Sequence, residues 1–426
     1  MADPGNTSEA TTPKAIWRDA HFDRYWAGHA LSAFGDQITA LALPLIAVVL
    51  LAASPSQVGA LFAAIWAPNL LALFFGTWID QFGRQQRLLI AADLFRWAAV
   101  AAIPIAYGLG QLSMPVMYGS AIAMGIGGVV YNGSYPSFFV RLVPKAQYVA
   151  ANSVLSTTMS IAALAGPAAA GLLIQAISAP DALVVDAATF LISAVVIMTV
   201  RTHIGRDADA HADGPAVEPY LLRLRSGLSY LRSHAYLRAS LMASTMMNLA
   251  GFAIQAVLIL YATRHLHMSA GQIGIALSIG ATGGLLGAAT AAPIAARIGA
   301  GKTIAVGAAL SALPFAGLVT ASATPSAGTV AIAAAEFVSA WALMLYDINN
   351  NALRATVTAD NLRSRVAGAY STVNYGSRPL GALLGGWAAT AVGIPVTLVV
   401  AGVIGALGSL WILVSPITKI RSIADL

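Results

Sequence analysis

Four ionisable side chains stand inside long apolar runs of this sequence: Asp36, Glu336, Asp347 and Arg378. A charge at the centre of a bilayer costs about 2.5–3.5 kcal/mol on insertion scales, so such groups face a protein interior or a wet cavity and mark ion or substrate pathways. At 100° per residue, Glu336, Leu343, Asp347, Asn350 and Arg354 fall within about 40° of one line. That polar stripe is expected to face a central cavity or a neighbouring helix. Burial raises the proton affinity of a carboxylate, which then takes a proton from one side and releases it to the other. Glu336, close to Phe337 and Trp341, is the first candidate for this role. Asp347 is a second, or else pairs with Arg378 or Arg354. Asp36 lies on a further stripe with His29, Ser32 and Thr39. It suits a proton site, a counter-charge for a cationic substrate, or a helix contact. Asp186 is expected near one membrane surface, and Asp93 and Arg96 near the other.

Hydrogen-bonding side chains recur at helical spacing in three further stretches. These are Ser244, Asn248 and Gln255; Tyr131, Asn132 and Tyr135; and Tyr370, Asn374 and Tyr375. With Trp66, Trp341 and Arg378 they are expected to line a mostly apolar cavity with a few polar groups, as small-molecule sites do. Enzyme chemistry finds no support. The chain has no GxxxxGK[ST] phosphate loop, no HExxH, seven scattered His and no Cys, so no cofactor and no metal are expected.

The elements that position these residues follow from composition. Of 426 residues, 58% are hydrophobic and 9% charged, against about 25% charged in soluble domains. A spanning helix needs about 20 apolar residues, and continuous apolar runs exclude a membrane barrel, whose strands alternate. Twelve spans are expected, at 25–52, 57–80, 87–109, 113–138, 150–178, 182–201, 238–263, 271–296, 303–322, 327–353, 365–391 and 395–415. With both termini on one side, that side collects every Lys and Arg of the 23 except Arg264 and Arg378. The positive-inside rule makes it cytoplasmic. The net charge of +6 is thus a topology device rather than a nucleic-acid footprint. The expected location is a bacterial inner membrane, with lipid as surroundings and a monomer as the working unit.

Residues 1–22 read as a polar cytoplasmic tail without the pattern of a signal peptide. A six-helix bundle follows at 23–201, a cytoplasmic linker at 202–237, a second bundle at 238–416 and a tail at 417–426. Within the linker, Leu221, Leu224, Leu228 and Leu231 share one face, with Arg223, Arg225 and Arg232 elsewhere. An amphipathic helix lying on the inner leaflet is expected. The two halves echo each other at an offset of 212–216 residues. Gly166-Pro167 and Gly171 match Arg378-Pro379, Gly381 and Gly385, and Gly83-Arg84 matches Gly299. Two six-helix halves with pseudo-symmetry imply a transporter with a site between them.

Gly76-Thr-Trp-Ile-Asp80-Gln-Phe-Gly83-Arg84-Gln-Gln-Arg87 resembles the loop 2–3 signature of the major facilitator superfamily, with Gln81 in place of the usual first Arg. The stretches Phe22-Asp-Arg24-Tyr-Trp26-Ala-Gly28, Gly35-Asp36, Arg141-Leu-Val-Pro144, Ala165-Gly166-Pro167, Asp186-Ala-Ala-Thr-Phe190, Arg363-Ser-Arg365 and Pro379-Leu-Gly381 resemble its drug:proton antiporter branch, which holds macrolide and enterobactin exporters. The likeness covers about residues 22–415. It implies an all-α polytopic fold of twelve transmembrane helices in two pseudo-symmetric six-helix bundles. It also implies a proton-coupled exporter of amphipathic small molecules, a cytoplasmic gate at Asp80, Gly83, Arg84 and Arg87, and hinges at Gly166, Pro167 and Pro379. A dedicated siderophore or metabolite exporter, an importer, and a non-transporting scaffold remain alternatives.

Overall fold

The computed structural model describes residues 19–72, 79, 82–201, 220–320 and 324–425. All regular structure among them is helical. Helix α1 spans Ala20–Leu45 and continues as a π-turn to Leu50, just after Pro44, which supplies no backbone donor. Next come α2 (Pro55–Trp66), α3 (Gln85–Gly108), α4 (Met114–Leu142), α5 (Tyr148–Ile177) and α6 (Ala179–Thr199). A linker helix, Tyr220–Ser233, precedes α7 (Ala235–Arg264), α8 (Ala270–Ile298), α9 (Ala300–Leu310), α10 (Pro325–Val357), α11 (Arg363–Val392) and α12 (Ile394–Leu407). Ten helices among the described residues are long and apolar enough to cross a membrane. Of the other two expected spans, α2 runs toward residues outside the described set, and α11 is 30 residues long but carries a polar face.

The helices pack in a pattern that repeats every six. In the first half α1 packs on α5 and α6, α2 on α4, and α3 on α4 and α6. In the second half α7 packs on α11 and α12, α8 on α10, and α9 on α10. The halves meet through α2 with α11 and α5 with α8, again related by a shift of six. Backbone conformation repeats as well. Ser178 (φ 101°, ψ 159°) turns α5 into α6, and Gly393 (φ 92°, ψ 155°) turns α11 into α12. The left-handed region favours glycine, so Ser178 is the less expected of the two. Its hydroxyl offsets the strain by capping α6 at the Asp181 amide, 3.3 Å away.

Glycine sets the contact between halves. A Cβ at Gly274 on α8 would collide with the Pro167 carbonyl and stand 3.0 Å from Gly171 Cα on α5. A Cβ at Gly59 on α2 would stand 2.5 Å from the Ala382 carbonyl and 2.8 Å from Gly386 Cα on α11. Both contacts sit toward the end opposite the Arg-rich loops. Polar bridges join the halves at that end too: Arg264 to the Ala53 carbonyl at 2.8 Å, the Ser56 amide to Thr390 Oγ1 at 3.1 Å, and Ser269 to Gln175 at 3.0 Å. Gly166-Pro167 therefore does more than bend a helix. The Ala168 amide that follows Pro167 donates to Ser278 Oγ on α8 at 2.8 Å.

The linker helix differs from its expected place on the leaflet. Its Leu224, Leu228 and Leu231 pack with Val366, Ala369 and Tyr370 of α11, and Leu231 is fully buried. Gly227 lies directly on the Arg365 carbonyl. Protein surface covers these three leucines, and the side chain of Leu221 lies outside the described residues.

Candidate functional site

The second half encloses a polar cavity of about 600 Å³, lined from α7, α10 and α11. Helix α10 contributes Glu336, Leu343, Asp347, Asn350 and Arg354 to one wall, the stripe read from the sequence. Helix α7 contributes Ser244, Asn248 and Gln255, and α11 contributes Tyr370, Asn374, Tyr375 and Arg378.

A hydrogen-bond lattice fixes most of these side chains. Asn248 Nδ2 donates to Asn374 Oδ1 at 2.9 Å, and Arg378 Nε donates to Asn248 Oδ1 at 3.3 Å. Toward the Arg-rich end, Tyr370 donates to Ser244 Oγ at 2.8 Å and Ser240 donates to Asn350 Oδ1 at 2.7 Å. The Arg354 guanidinium lies over the Tyr370 ring at 3.8 Å. Arg378 is caged by aromatic faces: Tyr375 at 4.4 Å, Trp66 at 4.6 Å and Phe252 at 5.3 Å. Trp66 belongs to α2, so this cation–π contact crosses between halves and supplements the glycine contacts.

The two carboxylates stand apart from that lattice. Glu336 and Asp347 line the cavity with no hydrogen bond and no ion pair among the described residues. Asp347 thus does not pair with Arg354 or Arg378, as one sequence alternative had it. Both arginines are held instead over rings, which keeps their charge near Asp347 without contact. Glu336 sits where α8 and α10 approach most closely: a Cβ at Gly280 would collide with the Glu336 Cβ, and one at Gly283 with the Phe337 carbonyl. These glycines let the α10 backbone at Glu336 and Phe337 press against α8, a signal the sequence carries in the Gly280, Gly283, Gly287 spacing.

Trp341 is a correction. Its Nε1 donates to Thr290 Oγ1 of α8 at 3.0 Å, and it does not line the cavity. Five residues past Glu336 it is turned by about 140°, so it faces the neighbouring helix. Tyr131 and Asn132 are corrected as well. They line a separate cavity of about 100 Å³ in the first half, with His29, Ser32, Asp36 and Arg96.

That smaller cavity opens onto a buried charge cluster. Arg96 pairs with Asp36 and lies 3.9 Å from Asp93. Its guanidinium stacks over Phe190 at 4.0 Å. Asp93 accepts from Ser193 at 2.7 Å, and Asp186 accepts from Thr39 and from Thr189. Gly35 is required there, because a Cβ would collide with Asp186 and Thr189. The expectation that Asp186 lies at one surface and Asp93 and Arg96 at the other is therefore overturned. Helix α3 begins at Gln85, so Arg96 lies roughly 16 Å along it, level with Asp36 and Asp186. Asp36 is the wetter end of the cluster, its side chain 40% exposed against 10% for Arg96.

Of the loop 2–3 gate, Asp80 lies outside the described residues. Gly83 takes φ +64°, which explains the glycine, and its carbonyl accepts from Arg141 at 3.2 Å. Arg84 and Arg87 are exposed. Pro379 is buried in α11, where nearby Gly381 and Gly385 rest on the α7 backbone. Gly166 lies against Gln37 of α1.

Twelve pseudo-repeated helices, with a polar, partly charged cavity in the second half, define a membrane transporter of the major facilitator type. The residues of the transmembrane secretion effector family match positions 11–425, and the chain belongs to that family. It is 28% identical over 381 residues to the multidrug efflux pump Tap of Mycobacterium tuberculosis, covering 86% of each chain. It is 25% identical over 346 residues to Tap of Mycolicibacterium fortuitum, covering 78% of this chain and 80% of that one. Among solved structures, a mutant of the nucleoside transporter NupG superposes with a TM-score of 0.75 at 13% identity, over 92% of this chain and 99% of that one. A bacterial homologue of the iron transporter ferroportin, in an inward-facing state, gives 0.73 at 14% identity, over 92% and 98%. These two likenesses show the fold.

Proposed function

We propose that this chain is a proton-coupled exporter of amphipathic small molecules that works by alternating access. The carrying observation is the pair Glu336 and Asp347, carboxylates without an ion pair or hydrogen bond among the described residues, on the wall of a cavity whose Ser244, Asn248, Tyr370 and Asn374 are hydrogen-bonded to one another and to neighbouring groups. The kinship with multidrug efflux pumps supports export. The Arg-rich end is cytoplasmic in this reading, as the placement of cations favours, and both termini lie on that side of a bacterial inner membrane. The halves 23–201 and 238–416 then rock about the glycine contacts of α2 with α11 and α5 with α8. Closed contacts at the outer end leave the cavity accessible from the cytoplasm.

A cationic or neutral amphipathic substrate would settle between the aromatic cage and the carboxylates, with Asn248, Gln255 and Asn374 offering hydrogen bonds. Protonation of Glu336 from outside would discharge the wall and release the substrate there; loss of the proton inside would reset it. Asp36, paired to Arg96, is a second proton site in the first half, reached through the small cavity. One proton supplies about 2.3 kcal/mol per 100 mV and about 1.4 kcal/mol per pH unit. At 100 mV and one pH unit together that sustains roughly a 500-fold gradient of a neutral solute. Reconstituted transport of a panel of amphipathic compounds, with and without an imposed pH gradient, tests the proposal. Accumulation that ignores the gradient for every compound would reject coupling.

A further inference from the structure

A third cavity, of about 960 Å³, lies at the Arg-rich end, between the α8–α9 turn and the segment after α12. Arg297, Lys302, Lys419 and Arg421 converge on it. None of the four forms an ion pair among the described residues, and all are exposed. Their side is flanked by apolar surface that faces outward: Ile298 is 43% exposed and Leu413 51%.

The site is built rather than incidental. The Ala300 amide donates to the Arg421 carbonyl at 3.2 Å, and the Gly301 amide to the Ile420 carbonyl at 3.0 Å. Gly301 packs directly on the Ile417 carbonyl. Ile417 and Ile420 are buried in a core cluster with Ile304 and Ile412. The chain after α12 is thus fastened across the start of α9, and it carries two cations to face two others. Four like charges line one pocket with no carboxylate among its lining residues, and like charges repel, so the arrangement suits an anion. Its position, at the turn between two spanning helices, puts that anion at the membrane surface. Basic pockets between helices at this level suit lipid headgroups.

We propose that this pocket binds an anionic phospholipid, its phosphate among Arg297, Lys302, Lys419 and Arg421 and its acyl chain along Ile298 and Leu413. A lipid held here would tie the end of α12 to the α8–α9 turn, on the half that carries Glu336.

The test uses the full chain in nanodiscs and native mass spectrometry, with palmitoyl-oleoyl phosphatidylglycerol titrated into phosphatidylcholine. One tightly held phosphatidylglycerol per chain is expected. Each cation removed should weaken it about 5-fold, and Lys302→Gln with Arg421→Gln about 30-fold. The charge-matched pair Arg24→Gln with Lys145→Gln, elsewhere on the same end, should leave it unchanged. All four side chains are exposed, and thermal melting in pure phosphatidylcholine checks that each variant is folded. Equal loss in both double variants would reduce the effect to bulk surface charge and overturn the proposal. So would retention in both. Displacement of the lipid by millimolar inorganic phosphate as effectively as by soluble glycerophosphoglycerol would mark a free-phosphate site and overturn the lipid assignment.

Discussion

The contact between α5 and α8 gives a sharp handle on the proposed rocking motion. Gly274→Ala adds one methyl where the Pro167 carbonyl and Gly171 Cα already stand. Overpacking of this kind costs about 1–3 kcal/mol, and the cost falls on the conformation in which these helices touch. Gly284→Ala on the same helix is the control, since its Cβ meets nothing nearer than Met344 Cγ at 3.9 Å. Both substitutions gain the same helix propensity, about 1 kcal/mol, so their difference isolates the contact. A shift of 1–3 kcal/mol changes the balance between two conformations about 5- to 150-fold. The sequence contains no cysteine, so a single Ser371→Cys substitution on the cavity wall reports accessibility directly. With a membrane-impermeant maleimide added from the Arg-rich side, labelling should slow in Gly274→Ala and stay unchanged in Gly284→Ala. Equal rates in both would show that the α5–α8 contact does not govern access to the cavity, and the rocking argument would fall.

Further outcomes follow from the two charge clusters and the bridge at Ser278. Arg96→Ala leaves Asp36 and Asp93 without their cation, and breaking a buried pair costs about 3–5 kcal/mol. Thermal melting in detergent should fall, and Arg96→Ala with Asp36→Asn should recover part of the loss; no recovery would mean that Arg96 acts through Phe190 packing instead. Arg378→Lys removes a planar cation stacked on three rings and its bond to Asn248, which is worth about 1–2 kcal/mol. Substrate KM in transport should rise about 5- to 30-fold, and an unchanged KM would remove Arg378 from the binding wall. Ser278→Ala removes the hydrogen bond from the Ala168 amide that joins α5 to α8, at a cost of about 0.5–1.5 kcal/mol, and should slow maleimide labelling at position 371 in the same direction as Gly274→Ala.

Much of the fold was legible because bilayer physics leaves few options. Most expected spans end within about five residues of an observed helix where the structure describes them, including α11, whose polar face lowers its apolarity. The exceptions are 303–322, where α9 stops at Leu310 and a tighter stretch Leu313–Thr320 completes the span, and 395–415, where α12 stops at Leu407 and a short helix Ser409–Leu413 follows. The α10 stripe was legible for the same geometric reason: side chains at 100° intervals share a wall regardless of the partner. What periodicity does not give is the partner. Residue type alone suggests Trp341 for the cavity, whereas its angle of about 140° from Glu336 turns it to Thr290 on α8. Asp93, Arg96 and Asp186 were placed by distance from the ends of apolar windows, yet the helices begin earlier than those windows. Their meeting depends on α1 lying close to α6, and Gly28 and Gly35, seven residues apart on α1, are the trace of that approach: Gly28 faces Ser193 and Gly35 faces Asp186. The linker leucines suit lipid and protein equally by sequence, which does not say which apolar surface is nearer; Leu224, Leu228 and Leu231 meet α11.

The central claim is that Glu336 couples proton movement to export. It is tested most directly by Glu336→Gln in proteoliposomes, with ethidium as a fluorescent amphipathic cation and a pH gradient imposed across the membrane. Glutamine keeps the size and the fit against Gly280 but holds no exchangeable charge. The account predicts that downhill ethidium movement persists while uphill accumulation driven by the gradient is lost. Uphill accumulation at the unsubstituted rate would contradict it.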